Sequence, residues 1–386
     1  MTEDLFAALR CEPEIASPDL VAVDAADRLI LDEAGPLLSG TAPGSVAVVG
    51  DRYGALTLGA VRRHGLRDVR VHTDRLTGES ALLANAARLD GAGPADPEDT
   101  VPGRFRVRGL DAELMTGARA VLLRLPRSLD ALDEIAALIA RHASPEVAVV
   151  AGGREKHLTR AMNEVLGRSF TEVRASRGRQ KSRVLHASGV RGVPAPGPEW
   201  PRRVTHPELG LTVCAHGAAF AGTKVDIGTR FLVEHLDAAL PEARTAVDLG
   251  CGTGILAATL ASRRPELSVL ATDESWAAVE SAWATVAANG LDDRVRVRRA
   301  LGTAGIEEAS VDLVVLNPPF HVGAAVEDRV APELFAAAAR VLRPGGELWS
   351  VWNSGLGYRP RLQGIVGPTR QIARNSKFTV TASVRR

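Results

Sequence analysis

The stretch Ala246-Val247-Asp248-Leu249-Gly250-Cys251-Gly252-Thr253-Gly254 runs from a short apolar strand into three glycines spaced one residue apart. Such a strand suits the middle of a parallel sheet covered on both faces. The glycines turn the chain onto a helix predicted over Ile255 to Ser262, at a place where side chains would collide with a ligand lying over the backbone. The spacing is G-x-G-x-G, not the G-x-G-x-x-G of dinucleotide sites, so a nicotinamide or flavin is the weaker expectation. Asp273 ends the next predicted strand, where a carboxylate can accept ribose hydroxyls.

Downstream, the apolar run Val311 to Leu316 stops at Asn317-Pro318-Pro319-Phe320-His321. Pro318 holds Asn317 extended, so the Asn317 side-chain carbonyl and the Pro318 backbone carbonyl can face one point and accept the hydrogens of an NH2 group. Phe320 offers a face on which a flat ring can stack. The plainer reading is a loop after a strand, with prolines as breakers and Phe320 in the core. Together with the glycine loop and Asp273, however, the corner resembles the class I S-adenosylmethionine-dependent methyltransferases. Among these, Asn-Pro-Pro-Phe marks members that methylate an exocyclic or amide nitrogen.

The chain has 386 residues, more than one core usually holds, which predicts two domains. Cys11, Cys214 and Cys251 lie far apart and suggest neither a disulfide framework nor a zinc site. No long apolar segment occurs, and Glu3 and Asp4 stand where a signal peptide carries positive charge, so a cytoplasmic protein is expected. Net charge is only +1, but it is unevenly spread. Residues 1–33 carry nine acidic and two basic residues, residues 154–191 ten basic and three acidic, and residues 357–386 seven basic and none acidic. Such segments suit a phosphate backbone. Against this, only four of the basic residues are lysine, and an arginine-biased composition scatters arginine onto any solvated face.

The N-terminal half reads as a helix from Asp24 to Leu31, a strand at Val46–Val49, a helix ending at His64-Gly65 and a strand at Val69–His72. A strand at Arg119–Arg124, a helix through Leu129, Leu132, Ile135 and Ile139, and a closing strand at Val147–Ala151 follow. Alternation of this kind gives a mostly parallel, doubly wound sheet. Val190 to Pro201, with four prolines, reads as a stiff linker. The expected division is residues 1–190, a linker over 191–203, and a catalytic domain over 204–386.

The two halves read as an internal duplication. Gly50 and Gly54 precede Gly250 and Gly254 by 200 residues, and Leu125-Pro126-Arg127-Ser128 occupies the slot of the Asn-Pro-Pro-Phe corner. Val48 replaces Asp248, Arg52 replaces Gly252 and Leu125 replaces Asn317, with Arg52 expected to fill the cofactor's space. The fold class is thus α/β, two tandem Rossmann-like methyltransferase folds, the first degenerate. In the second half, Trp276, Val279, Trp283 and Val286 are expected in the core, a helix over Pro332–Leu342 is expected to stop at Pro344-Gly345-Gly346, and strands are expected at Leu348–Trp352 and Phe378–Val384.

The duplicated layout, the block Asp226-Ile227-Gly228-Thr229-Arg230-Phe231, the corner at Asn317 and the closing Asn375-Ser376-Lys377-Phe378 resemble the ribosomal RNA guanine N2-methyltransferases. By length and by the last block, the large-subunit members are nearer than the small-subunit ones. The resemblance implies S-adenosylmethionine as cofactor, held by Asp226, Asp248, Gly250, Gly252, Gly254, Asp273, Ala300 and Asn317, although Asp226 also suits an ordinary turn. Ala300 enters because Arg299 stands where many relatives carry Asp or Asn toward the adenine. Asn317, Pro318 and Phe320 would act on the substrate, and no metal is required. The RNA would meet Arg174, Arg177, Arg179, Lys181 and Arg183; His321 either touches RNA or packs. The partner would be ribosomal RNA or a ribosomal subunit, met by a monomer. A glutamine N5-methyltransferase acting on a release factor and a non-catalytic RNA-binding protein are the alternatives.

Overall fold

A computed structural model describes residues 2–14, 20–90, 104–192, 199–319 and 324–386, and the chain divides into two compact units, Met1–Glu199 and Trp200–Arg386. No helix among the described residues is long and apolar enough to cross a membrane.

The first unit contains strands β1 (Val46–Val49), β2 (Val69–His72), β3 (Phe105–Val107), β4 (Ala120–Arg124), β5 (Ala148–Arg154), β6 (Phe170–Ala175) and β7 (Ser182–Val190). Its helices are α1 (Thr2–Ala8), α2 (Ala25–Leu38), α3 (Ala55–His64), α4 (Leu76–Asp90), α5 (Ala112–Met115), α6 (Leu129–His142) and α7 (Arg160–Ser169). The strands form one sheet in the order β3-β2-β1-β4-β5-β7-β6. Pairing is parallel from β3 to β5, and β7 runs antiparallel to both β5 and β6. The sheet therefore does not close at Val147–Ala151 as expected. The edge strand β6 leaves Thr171, Glu172, Arg174 and Ala175 exposed, so it lacks the alternation that betrays a strand.

The second unit adds an antiparallel pair, β8 (Arg202–His206) and β9 (Leu211–Ala215), to β10 (Thr245–Leu249), β11 (Ser268–Asp273), β12 (Val295–Arg299), β13 (Val311–Leu316), β14 (Leu342–Asn353), β15 (Thr369–Arg374) and β16 (Phe378–Val384). Its helices are α8 (Ile227–Val233), α9 (Ile255–Arg263), α10 (Trp276–Ala288), α11 (Ala324–Val341) and α12 (Arg359–Ile365). The main sheet is ordered β12-β11-β10-β13-β14-β16-β15, strand for strand the order of the first unit. Both sheets have seven strands. Strand order reverses between β10 and β13, and the crevice outside such a switch point is where open α/β sheets bind ligands.

Three local expectations need correction. α11 begins at Ala324 and continues through Pro332, although a proline inside a helix removes one backbone donor. Pro344-Gly345-Gly346 lies within β14, where the register against β13 shifts and a side chain at Gly346 would lie 2.8 Å from the Asp312 carbonyl oxygen. Trp283 is 45% exposed, whereas Val279 and Val286 are buried. The reason is a polar stripe on α10 and the residue capping its end. Ser281 accepts from the His216 N–H, Thr285 exchanges hydrogen bonds with both backbone groups of Cys214, and Asn289 does the same with Thr212. This stripe satisfies the free edge of β9 and turns Trp283 outward.

Candidate active site

The loop after β10 is fixed from below by its own backbone. Gly250 and Cys251 both donate to the Thr272 carbonyl, at 2.8 and 3.0 Å, and Gly254 donates to the Cys251 carbonyl at 2.8 Å. Gly250, Gly252 and Gly254 have φ of 70°, 54° and 78°, which a side chain would strain. A methyl group placed on Gly250 or Gly252 would meet nothing within 4 Å, so the loop offers an open cradle. Gly254 differs: the same methyl would lie 3.0 Å from the Ala282 side chain, so this glycine serves the close approach of α9 and α10. Asp273 spans the loop, its Oδ2 accepting from the Gly252 N–H at 3.0 Å and its Oδ1 from the Ser275 N–H at 2.9 Å. Ser275 is the cap of α10.

Beneath the loop Asp248 is fully buried. Its Oδ2 accepts from the Ala257 N–H at 2.9 Å, while its Oδ1 has no partner among the described residues. Burial pushes this carboxyl up to about 7 against the pull of the Ala257 N–H, and the charge of Asp273 adds to the rise. At the far side, Arg299 donates from Nε to the Glu274 carbonyl at 3.2 Å, and the Ala300 N–H donates to the Asp273 carbonyl at 2.8 Å. The Ala300 N–H is thus spent. Its carbonyl is the group of the right sign for an adenine amine.

Leu249 and Leu316 are register partners on parallel strands, so Gly250 and Asn317 leave the sheet side by side. The Asn317 amide is gripped from α8. Its Nδ2 donates to Asp226 Oδ2 at 3.2 Å and to Thr229 Oγ1 at 3.0 Å. The same Asp226 oxygen caps α8, accepting from the Gly228 and Thr229 N–H groups at 2.9 and 3.3 Å. Asn317 Oδ1 is buried with no partner among the described residues. Gly228 permits this contact, since a methyl group there would lie 3.4 Å from Asn317 Oδ1 and 3.3 Å from the Phe378 ring. Thr229 was not singled out by the sequence reading, although it stands three residues after the cap Asp226, a spacing that brings the two together. Pro318 is buried and Pro319 exposed; Phe320 and His321 lie outside the described residues.

Two open glycines, two buried acceptor oxygens without partners among the described residues and a carboxylate at the end of β11 fit S-adenosylmethionine and a substrate N–H donor. Residues 210–382 match the family described as methyltransferase small domain, and residues 2–190 match the RLMG N-terminal domain. Ribosomal RNA large subunit methyltransferase G of Streptomyces avermitilis is 34% identical, with 98% of this chain and 97% of that protein covered. The protein of the same name from Stutzerimonas stutzeri is 34% identical, over 97% of this chain and 96% of its own. The chain belongs to the ribosomal RNA large subunit methyltransferase G family. It is therefore a methyltransferase that depends on S-adenosylmethionine. Among solved structures, T. thermophilus 16S rRNA N2 G1207 methyltransferase (RsmC), in complex with AdoMet and guanosine, superposes with a TM-score of 0.72 over 94% of this chain and 92% of its own. At 23% identity that likeness shows the shared fold.

In this methyltransferase G relative the first unit keeps the fold and alters the site. Arg52, in the place of Gly252, has an exposed side chain with its guanidinium 5.9 Å from the Tyr53 ring centre. Arg124 at the end of β4 crowds Gly50 with its carbonyl and Cβ and pairs with Asp24 and Asp27 at the start of α2. Of the five cations read as an RNA surface, all are exposed on β6, β7 and their connection. Two are already paired, Arg179 with Asp32 and Arg183 with Glu155 at 3.2 Å. Arg174, Arg177 and Lys181 form no ion pair among the described residues. Part of the basic segment is thus met by the acidic N-terminal segment, which the sequence charge count could not reveal.

Proposed function

We propose that the second unit transfers the methyl group of S-adenosylmethionine to the exocyclic N2 amine of a guanine in ribosomal RNA, and that the RNA is 23S. The observation that carries the reading is Asn317 Oδ1, buried and without a partner among the described residues, beside the glycine loop. When bound, the cofactor supplies a sulfonium-activated methyl group. Gly250 and Gly252 admit its backbone-hugging portion, Asp273 accepts from the ribose hydroxyls, the Ala300 carbonyl accepts from the adenine amine, and Asp248 places negative charge below the loop. Gly254 shapes the loop by letting the two helices meet.

A guanine amine is a weak nucleophile because its lone pair is shared with the ring. Asn317 Oδ1 and the Pro318 carbonyl accept its two hydrogens, which favours the pyramidal geometry that frees the pair and fixes it on the line of attack. No strong base is needed, since the proton can pass to water after the methyl group arrives. The base must be unstacked, and Phe320 replaces its lost neighbour. Residues 1–190 would grasp RNA, residues 191–203 would link, and residues 204–386 would catalyse. The large subunit is favoured because the full-length relatives at 34% identity carry that name, while the small-subunit protein is like this chain in fold.

Mass spectrometry of 23S and 16S RNA from cells with and without the protein tests the proposal. The expected result is one N2-methylguanosine missing from 23S RNA when the protein is absent. Loss from 16S RNA, or label incorporated into protein instead, overturns it.

A further inference from the structure

We propose that Asp226 and Thr229 are positioning residues that fix which end of the Asn317 amide faces the substrate. The inference rests on the proposed role of Asn317 as acceptor. An asparagine side chain can present either its oxygen or its NH2, and the two choices have opposite meaning for an incoming amine. Here Nδ2 is held by two acceptors, Asp226 Oδ2 at 3.2 Å and Thr229 Oγ1 at 3.0 Å. A flipped amide would turn Oδ1 toward those same two oxygens. Asp226 has no proton to offer an oxygen when ionised, so the flip loses that hydrogen bond and adds repulsion; the Thr229 hydroxyl could turn to donate, so Asp226 sets the direction and Thr229 holds the amide in place. The grip therefore leaves Oδ1 facing the site, and substrates that present a hydrogen-bond donor are selected over those that present a carbonyl. Asp226 is locked by its second duty as the cap of α8, which keeps its oxygen in place whether or not a ligand is bound. On this view Asp226 serves the reaction through Asn317 and does not hold the cofactor directly.

The test uses the full chain, ribosomal RNA from cells lacking the protein, and S-adenosylmethionine. Thr229→Val keeps the shape and removes one acceptor; kcat should fall about tenfold, the worth of one net hydrogen bond, with RNA KM and calorimetric cofactor Kd changed by less than about threefold. Thr229→Ser should restore the rate. Asp226→Ala should lower kcat in the same way and leave cofactor Kd unchanged, and intact cofactor binding certifies that each variant is folded. A wild-type rate in Thr229→Val, failure of Thr229→Ser to restore it, or lost cofactor binding in Asp226→Ala overturns the inference. Asn317→Ala separates this from the reading beneath it. If that variant stays active, the acceptor role itself is wrong; if it is inactive while Thr229→Val is unaffected, only the positioning role falls.

Discussion

Arg124 closes over Gly50: a methyl group on that glycine would lie 3.1 Å from the Arg124 carbonyl oxygen and 3.2 Å from its Cβ, where the equivalent space above Gly250 is open. The guanidinium is held at 2.5 Å by Asp24, the cap of α2. Both units thus use the same device, a carboxylate capping the helix before the sheet and reaching the end of the fourth strand. In the second unit that carboxylate accepts from the Asn317 amide; in the first it pairs with the guanidinium of the residue whose carbonyl and Cβ crowd Gly50. Asp51 completes the change. It is buried and accepts from the Gly54 and Thr57 N–H groups at 3.0 and 2.7 Å, taking over the helix contact that Asp248 makes with Ala257.

One cofactor site per chain is the consequence. Isothermal calorimetry should give a single site, lost in Asp273→Ala and retained in Asp74→Ala. A second site, or loss of binding in Asp74→Ala, would mean that the first unit still holds the cofactor.

Asn317→Ala should abolish methyl transfer while cofactor affinity stays within a few-fold, because its Oδ1, without a partner among the described residues, is proposed to accept from the substrate amine. Transfer of radiolabel to ribosomal RNA at close to the wild-type rate would refute the assignment.

Asp248 predicts a pH dependence. Burial raises its carboxyl to about 7, above the ordinary value of about 4, so the folded, ligand-free unit binds a proton more tightly than the unfolded chain does. This contribution to stability is complete below about pH 4 and is lost as pH rises through about 7. A bound cation favours the ionised form, so cofactor affinity should rise with pH up to about 7, by at most about tenfold per unit. Calorimetry at several pH values checks this. Asp248→Asn should flatten the profile, weaken binding at high pH and raise the unfolding temperature there; an unchanged profile in that variant would exclude Asp248 as the titrating group.

Sequence revealed the middle of the second unit's parallel sheet because β10, β11 and β13 are short, mostly apolar runs followed at once by a glycine, a carboxylate or a proline corner. The helix expected over Ile255 to Ser262 is present as Ile255–Arg263. What escaped was structure set by edges and pairs. β6 and β15 are polar edge strands, and neither shows the alternation of a half-buried strand. Trp283 was misjudged because spacing cannot tell that the buried face of α10 takes in Ser281, Ala282 and Thr285 beside Val279 and Val286. Asn317 was found from its prolines, but the grip of Asp226 and Thr229 upon it spans some ninety residues of chain and leaves no local trace. The pairing of Arg124 with Asp24 was missed for the same reason.

The exposed cations on β6, β7 and their connection are proposed to meet RNA. Each cation that neutralises a phosphate releases condensed counterions, with a salt slope of about 0.7 per contact for single strands. Arg174, Arg177 and Lys181 are exposed and without ion-pair partners among the described residues, so replacing all three by Gln should flatten the salt dependence of RNA binding by up to about two units. Arg179 and Arg183 are partly neutralised by Asp32 and Glu155, so replacing those two should flatten it by less per residue. Cofactor affinity should not change in either variant, because the glycine loop and Asp273 belong to the second unit. The rate at saturating RNA should fall far less than the affinity, since these side chains place the substrate and take no part in the chemical step. Filter binding of ribosomal RNA at several salt concentrations gives the slopes. An unchanged slope in the triple variant would assign these cations to ordinary solvated surface, and the first unit would then serve some end other than grasping RNA through β6 and β7.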